Sequence, residues 1–386
     1  MPAPSPAYTD TPAEILPGLA DLIARELAPH VVDIDQKGLY PGDFLKRLGA
    51  LGGLGSLTPV EHGGTCCGLA HATQLIEAVS KECVSTGFLL WAEYALQWYV
   101  VNSANRALAA EMLPRMARGE VLGGTAQSNS MKSCAGIEDA RLKARRVDGG
   151  YVINGVLPWV SNIGPDHYFH MGASLPDTPG LVIGLVHGGT PGLTLTRNAH
   201  FIGMEGTNTF ACQFRDVFLA DSRVVSHAEE FDAFRDRTKS AFILLQMGMG
   251  LGLVDACVAM MKRADRTHGH VNRFLDVQAD ALEAELDAAR AATYRLAANI
   301  ERDGSAAHVR ETLQLRLAGS ELSLKAAHAA MLHMGAKGYL SNNAAQRRLR
   351  EAYFIAIVTP AIKHLRKELH EFASASCRLQ PELEEA

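Results

Sequence analysis

The sequence predicts an α+β protein in which a helical segment, a compact β segment and a second helical segment follow one another. Three observations predict it. Apolar residues recur at helical spacing up to about residue 120, the period turns to alternation from about 121 to 230, and helical spacing returns after about 235. The predicted division is 1–120, an all-α domain; 121–232, a β domain; and 233–386, a helical bundle.

In the first zone, AEILPGLADLIARELAPHVVDID and GDFLKRLGALGGLG carry apolar residues on one helical face, with Pro and Gly between segments. In the second, RLKARRVDGGYVINGV alternates around Asp148-Gly149-Gly150, a hairpin signal. GLVIGLVHGG, LTLTRN and FACQFRDVFLA continue as short strands. In the third, Leu282, Leu286, Ala289, Thr293 and Leu296 form one stripe, and Leu313, Leu317, Leu324, Ala327 and Met331 form another. Such stripes suit long antiparallel helices in a bundle, with a helix–helix contact between subunits as a further use. In REAYFIAIVTPAIKHL, residues 350–365, Pro360 pushes Thr359 out of helical geometry, so a bend between two helices is expected there.

The chain has 386 residues and a formal net charge of −5, with no basic block or Lys/Arg stripe, which argues against a nucleic-acid partner. No unbroken apolar run approaches the roughly 18 residues of a membrane span. MPAPSPAYTD lacks the basic and apolar regions of a signal peptide, so the cytoplasm is the expected location. Cysteines stand at 66, 67, 83, 134, 212, 257 and 377, an odd number without metal-ligand spacing. Reduced thiols and no metal site are expected.

P-loop, GxGxxG, HExxH and GxSxG motifs are all missing. The informative stretch is NGVLPWVSN, residues 154–162. Trp159 and Ser161 lie two apart and share a face if the segment is a strand. An indole beside a hydroxyl suits a flat heteroaromatic ligand. A core Trp beside a surface Ser is the plain structural alternative.

Five stretches in order resemble the acyl-CoA dehydrogenase family over nearly the whole chain. They are DIDQKGLYPGDFLKRLGALGGLGSLTPVEHGG, LPRMARGEVLGGTAQSN, NGVLPWVSN, GMEGTNTFACQFRDVFLADSRVV and HMGAKGYLSNNAAQRRLREA. The resemblance implies an α–β–α subunit with a middle β-barrel or sandwich and a C-terminal four-helix bundle. It also implies FAD, with FMN as the other flavin possible, at the junction of the β domain and the bundle. Carried over by motif, Ser128 replaces a flavin-bonding Thr, and Ser133 ends the recast segment that follows. Trp159 packs beside the isoalloxazine, and Ser161 offers its hydroxyl to the flavin. Arg266 and Gln278 resemble the pair that reaches FAD across a subunit interface, although their separation is one residue longer and His268-Gly269 stands for Phe-Gly. Gly335 and Ala336 stand at the family's Gly-Gly turn. The implied partners are a small substrate such as a CoA thioester, an electron-transfer flavoprotein or a flavin reductase, and further copies of the chain in a tetramer or dimer.

The catalytic Glu of that family has no counterpart here. Anchoring on Gly335, Gly338, Tyr339, Arg350 and Ala352 puts its position at Thr359, whose hydroxyl has no useful basicity near neutral pH. The family's alternative base position falls near Phe242. Leu332, Ala336, Ala361 and Lys363 replace further polar or glycine positions. Glu93 aligns with a helix lining the deep end of the acyl pocket, with Trp91 nearby; a solvated helix Glu is the alternative. His333, His364 and Glu205 are the candidate substitute bases, each with a structural role as its alternative.

Three readings follow. The first is a flavin-dependent oxidoreductase that oxidises an acyl-CoA or related small substrate, with hydride going to FAD and a non-standard base. The second is a two-component monooxygenase using reduced flavin and oxygen. The third is an inactive family scaffold.

Overall fold

The computed structural model describes residues 16–176 and 178–384. The first fifteen residues of the first predicted domain and the Cys377 side chain lie outside the described residues. Helices come first: α1 (Leu19–Leu22), α2 (Val31–Lys37), α3 (Gly42–Ala50), α4 (Gly68–Glu82), α5 (Val84–Val101) and α6 (Arg106–Ala117). Strands follow: β1 (Gly123–Thr125), β2 (Leu142–Val147), β3 (Gly150–Val160), β4 (Tyr168–Ser174), β5 (Leu181–His187), β6 (Leu193–Thr196), β7 (Phe210–Ala220) and β8 (Val224–Ser226). Helix α7 (Gln127–Cys134) interrupts them after β1. The chain ends with α8 (Phe231–Leu244), α9 (Met247–Asn272), α10 (Ala279–Asp303), α11 (Val309–Met334), α12 (Ala344–Ile357) and α13 (Ile362–Glu384).

The strands form one mixed sheet in the order β6-β7-β3-β2-β4-β5-β8, with β1 alongside β4 in parallel. The predicted hairpin is present: β2 and β3 pair antiparallel from Leu142–Gly155 to Val147–Gly150, closing on Asp148-Gly149. Leu142, Ile153, Phe169, Val182 and Phe214 build a core belonging to the sheet. A second, larger core runs through both helical zones together, joining Leu75 and Leu89 of the first to Met249, Leu286 and Leu313 of the third.

Two features bind these helices closely. Gly248 and Gly252 lie one turn apart on α9, and a side chain at either would strike the backbone carbonyls of Thr73 and Glu77 on α4. Beside this crossing, Arg348 of α12 donates to the carbonyls of Ser80, Lys81 and Glu82 at the C-terminal end of α4. Its ion-pair partner Glu351 accepts from the Val84 N–H at the start of α5, 3.2 Å away. One buried pair thus satisfies the loose ends of two helices. The helical stretch over 228–272, which includes α8 and α9, is long and apolar enough to cross a membrane, but 94% of its apolar window is buried inside the protein.

Candidate active site at the junction of sheet and bundle

The strand carrying Trp159 ends in a turn that the sequence dictates. Asn162 adopts a left-handed backbone conformation (φ 59°), which Asn tolerates better than most residues. Its side chain then acts as a clamp. Nδ2 donates to the Glu93 carboxylate at 2.7 Å and to the Gly123 carbonyl at 2.6 Å, while Oδ1 accepts from the Tyr40 hydroxyl at 2.7 Å. Glu93 also accepts from the Gly123 N–H at 2.9 Å.

Glu93 is therefore corrected from pocket wall to internal tie: it is 0% exposed and joins α5 to β1 and the end of β3. Its other oxygen, Oε2, has no partner among the described residues. Burial pushes the carboxyl up to about 8, against the hydrogen bonds from Gly123 and Asn162. Glu93 is neutral at pH 7 in consequence.

Beyond the clamp, Trp159 is 62% exposed and meets the Phe201 ring edge to face, with centroids 6.2 Å apart. Ser161 Oγ lies 2.7 Å from Thr209 Oγ1, which in turn lies 2.9 Å from Thr207 Oγ1. An uncovered indole next to a row of hydroxyls is an apolar face with a polar edge, the chemistry of a flavin ring. Arg266 is exposed and without an ion pair among the described residues. Gln278 spends its Nε2 on the Asn272 and Leu275 carbonyls at the start of α10. Gly335 ends α11 at φ 57°, ψ −146°, a region essentially closed to other residues, and Ala336 beside it is exposed. Trp159 and Ser161 thus fit a flavin ring, while Gln278 has only its oxygen left to offer.

Ser128 and Ser133, at the two ends of the recast segment, occupy α7. Ser128 Oγ lies 2.7 Å from Thr359 Oγ1, so the expected flavin-bonding hydroxyl and the residue at the missing base meet across the junction. Ser133 is half-buried at the last turn of α7. The Thr359 bend lies between α12 and α13 as expected, and a chain of polar groups holds it. Gln246 donates to the Thr359 carbonyl at 2.9 Å and accepts from Arg316 Nε at 2.9 Å. Arg316 also donates to Ser320 and, at 2.6 Å, to the Ile355 carbonyl. Its partners are all neutral, and burial pulls the guanidinium down to about 10.

Helices α7, α8 and α13, with Tyr99 of α5, line a cavity of about 300 Å³. Tyr99, Phe234, Phe242 and Met131 give it an apolar interior, and Gln127 and Thr238 give it polar atoms. Gln127 is held by His170, whose Nδ1 is 3.0 Å from the amide nitrogen and whose ring stacks on Tyr99 with centroids 4.0 Å apart. Burial drives the His170 imidazole down to about 3, so it stays neutral. Behind Phe242 the space is filled. Trp91 packs edge-on to Phe242 at 5.0 Å and stacks with Phe88 at 5.4 Å, and Phe88 meets Phe354 at 4.7 Å.

The candidate bases separate in space. His333 uses both ring nitrogens, on Asp265 and on the Val277 carbonyl, each at 2.9 Å. Glu205 is tied to the Phe201 N–H in the loop before β7. His364, 3% exposed, lies with Nε2 2.7 Å from Glu368, a wall residue of the cavity, and its Nδ1 has no partner among the described residues. Burial pushes the Glu368 carboxyl up, but the His364 hydrogen bond and the Lys239 ammonium outweigh it and hold the group below its ordinary value. Sequence reasoning missed Tyr99, Gln127, Lys239 and Glu368; only the four-residue spacing of His364 and Glu368 on one helix face was there to find.

Comparisons with known proteins identify the family. Residues 9–120 match the acyl-CoA dehydrogenase N-terminal domain, and residues 241–359 match the acyl-CoA dehydrogenase C-terminal domain. A probable acyl-CoA dehydrogenase (YngJ) of Bacillus subtilis is 25% identical over 87% of this chain and 91% of its own length. Cyclohex-1-ene-1-carbonyl-CoA dehydrogenase of Geobacter metallireducens is 27% identical over 88% and 91%. The structure of butyryl-CoA dehydrogenase from Megasphaera elsdenii superposes with a TM-score of 0.84 at 18% identity, covering 95% of this chain and 99% of that one. The chain belongs to the acyl-CoA dehydrogenase family, whose members are flavoprotein oxidoreductases.

Proposed function

We propose that this protein is an FAD-dependent oxidoreductase that dehydrogenates a compact acyl thioester, with a group other than residue 359 taking the substrate's α-proton. The observation that carries the reading is the exposed Trp159 indole beside the Ser161–Thr209 hydroxyls, an apolar face with a polar edge at the junction of sheet and bundle. The flavin, when bound, supplies a two-electron acceptor for hydride from the β-carbon. The protein's own residues do the rest. Trp159 gives the ring contact area, Ser161 a hydrogen bond, and Arg266, with Gln278, a hold on the phosphates of FAD bound to a second subunit. The acyl group enters the cavity lined by Tyr99 and Phe242, which ends at the Trp91–Phe88 block. That block favours short, branched or cyclic groups over long chains, in keeping with the cyclic substrate named for the Geobacter relative.

The same proposal includes an electron-transfer flavoprotein as the acceptor, a homo-oligomer and a cytoplasmic location. It also includes division of the chain into domains at about residues 120 and 232. The test is titration of the flavin-free chain with FAD, followed by addition of acyl-CoA thioesters without oxygen. Tight FAD binding and bleaching of the flavin bands by a short or cyclic thioester are expected; no bleaching by any thioester rejects the reading.

The Ser128–Thr359 pair favours a second reading. Two hydroxyls and no carboxylate suit a reaction that needs no α-proton base, such as oxygen insertion with reduced flavin delivered by a reductase. Oxygen uptake with reduced FMN or FAD, coupled to product from an aromatic or sulfur compound, would support it; peroxide release with every compound would count against it.

A further inference from the structure

We propose that Ser161 meets the bound flavin as a hydrogen-bond acceptor, so that the site holds the reduced ring more tightly than the oxidised one. This rests on the flavin site above, which both functional readings share.

The direction of the bonds follows from counting protons. Each hydroxyl has one hydrogen to give and lone pairs to receive. Thr207 Oγ1, buried in the short turn Glu205–Thr207, lies 2.7 Å from the Met204 carbonyl oxygen, which can only accept. The Thr207 hydrogen is therefore spent there. Thr209 Oγ1, 2.9 Å from Thr207 Oγ1, must donate to it, because otherwise two sets of lone pairs would face each other. Ser161 Oγ, 2.7 Å from Thr209 Oγ1, must donate in its turn. The row is thus polarised from Ser161 inward to the Met204 carbonyl. The loop that carries it is pinned. The Thr207 carbonyl accepts from the Asn162 N–H at 2.9 Å, and Asn208 Nδ2 donates to the Ile163 carbonyl at 2.7 Å. Met204 and Asn208, on either side of the turn, hold left-handed conformations at φ 66° and 49°.

Ser161 is half-buried just past β3, two residues after the exposed Trp159. Beyond Thr209, its Oγ has no hydrogen-bond partner among the described residues. With its hydrogen committed inward, Ser161 has only lone pairs for a ligand. The N5 nitrogen of a flavin ring is a bare acceptor when oxidised and bears a hydrogen when reduced. Donating to the oxidised nitrogen would take the Ser161 hydrogen from Thr209 and leave two hydroxyl oxygens facing each other without a proton between them. Accepting from the reduced nitrogen requires no such change. A group that accepts without rearranging therefore favours the reduced ring and raises the potential of the bound flavin. That preference eases electron uptake from a thioester, and it equally retains a reduced flavin delivered by a reductase.

The test reads binding and potential, not turnover. The full-length chain is titrated without oxygen with FAD and with dithionite-reduced FAD, and the potential of the bound flavin is measured against dyes of known potential. Wild type should bind the reduced form more tightly. Thr209→Val removes the acceptor and frees the Ser161 hydrogen. The ratio of reduced to oxidised affinity should then fall by about 10-fold, near the upper end of what one hydrogen bond supplies. That fall equals a potential lower by about 30 mV for a two-electron couple. Thr207→Val breaks the row one step further in, so that Thr209 can turn and donate to Ser161; it should lower the ratio in the same direction. Thr209→Ser and Thr207→Ser keep the hydroxyls and should match wild type. Should the buried Thr207→Val change melt the chain before the assay temperature, Thr209→Val is read alone. An unchanged ratio in a folded Thr209→Val variant that still binds FAD overturns the inference and leaves the flavin reading standing. If neither form of FAD binds the wild type, both fall.

Discussion

Ser128 Oγ and Thr359 Oγ1 lie 2.7 Å apart, joining the helix after β1 to the bend between the last two helices. Neither hydroxyl titrates near neutral pH, so the pair orients the junction without gaining or losing charge. Thr359→Val should therefore leave the pH midpoint of flavin reduction where it stands in the wild type, whatever it does to the rate. Thr359→Glu adds a carboxylate and should add a second ionisation to the profile. Stopped-flow reduction across pH decides this; a midpoint displaced by the valine variant would show that the threonine governs the proton step.

Trp159 offers an indole face at little structural cost, because the side chain is 62% exposed. Trp159→Ala should leave the melting temperature of the flavin-free chain nearly unchanged and weaken FAD binding by about 2–10-fold. That range corresponds to about 0.5–1.5 kcal/mol for an aromatic contact. Trp159→Phe should lose less. Equilibrium titration by flavin fluorescence measures both, and unchanged affinity in the alanine variant would remove the indole from the site.

Much of this arrangement was legible in the sequence, for physical reasons that differ by element. The β2–β3 hairpin was readable because Asp148-Gly149 leaves the chain few ways to turn. The bend at Thr359 was readable because proline restricts its predecessor. Helix α7 was not, since QSNSMKSC has weak helical periodicity and its place in the fold supports it: Asn129 bonds Glu138, the Asp139 carbonyl and the Arg141 N–H. The role of Glu93 was also hidden. A carboxylate in an apolar helix reads as a pocket group until Asn162, far along the chain, is seen to hold it. The cavity wall combined α7, α8 and α13, and no local pattern encodes such a meeting.

Glu93 carries a pH signature whose sign can be worked out. Its carboxyl titrates at about 8 in the fold and at roughly 4.3 in the unfolded chain. Between those values the native state holds a proton that the unfolded state has lost, so stability falls as pH rises through this window and levels off above it. Glu93→Gln keeps an oxygen for the Gly123 and Asn162 donors and never ionises. The variant should gain stability relative to wild type as pH rises from 5 to 9, by an amount on the order of 1–3 kcal/mol after allowing for relaxation around the buried group. Melting curves at the two pH values test it. A stability difference that does not change with pH would mean the carboxyl is already ionised at pH 5.

Phe242 sets the depth of the cavity, because Trp91 is braced behind it. The indole Nε1–H donates to the Phe242 carbonyl at 3.2 Å, and the two rings meet edge to face at 5.0 Å. Removing the Phe242 ring joins its volume to the cavity instead of collapsing the wall, since Trp91 stays anchored through backbone. Phe242→Ala should cost about 3–5 kcal/mol of stability, as large-to-small changes in a packed interior do. Phe242→Leu should cost less and is the better probe. Both should shift preference toward longer acyl groups, with the ratio of kcat/KM for hexanoyl-CoA over butyryl-CoA rising by about 10-fold or more, given roughly 0.8 kcal/mol for each buried methylene. If the ratio stays constant while the protein remains folded, the acyl group does not end at Phe242 and the aromatic block is packing alone.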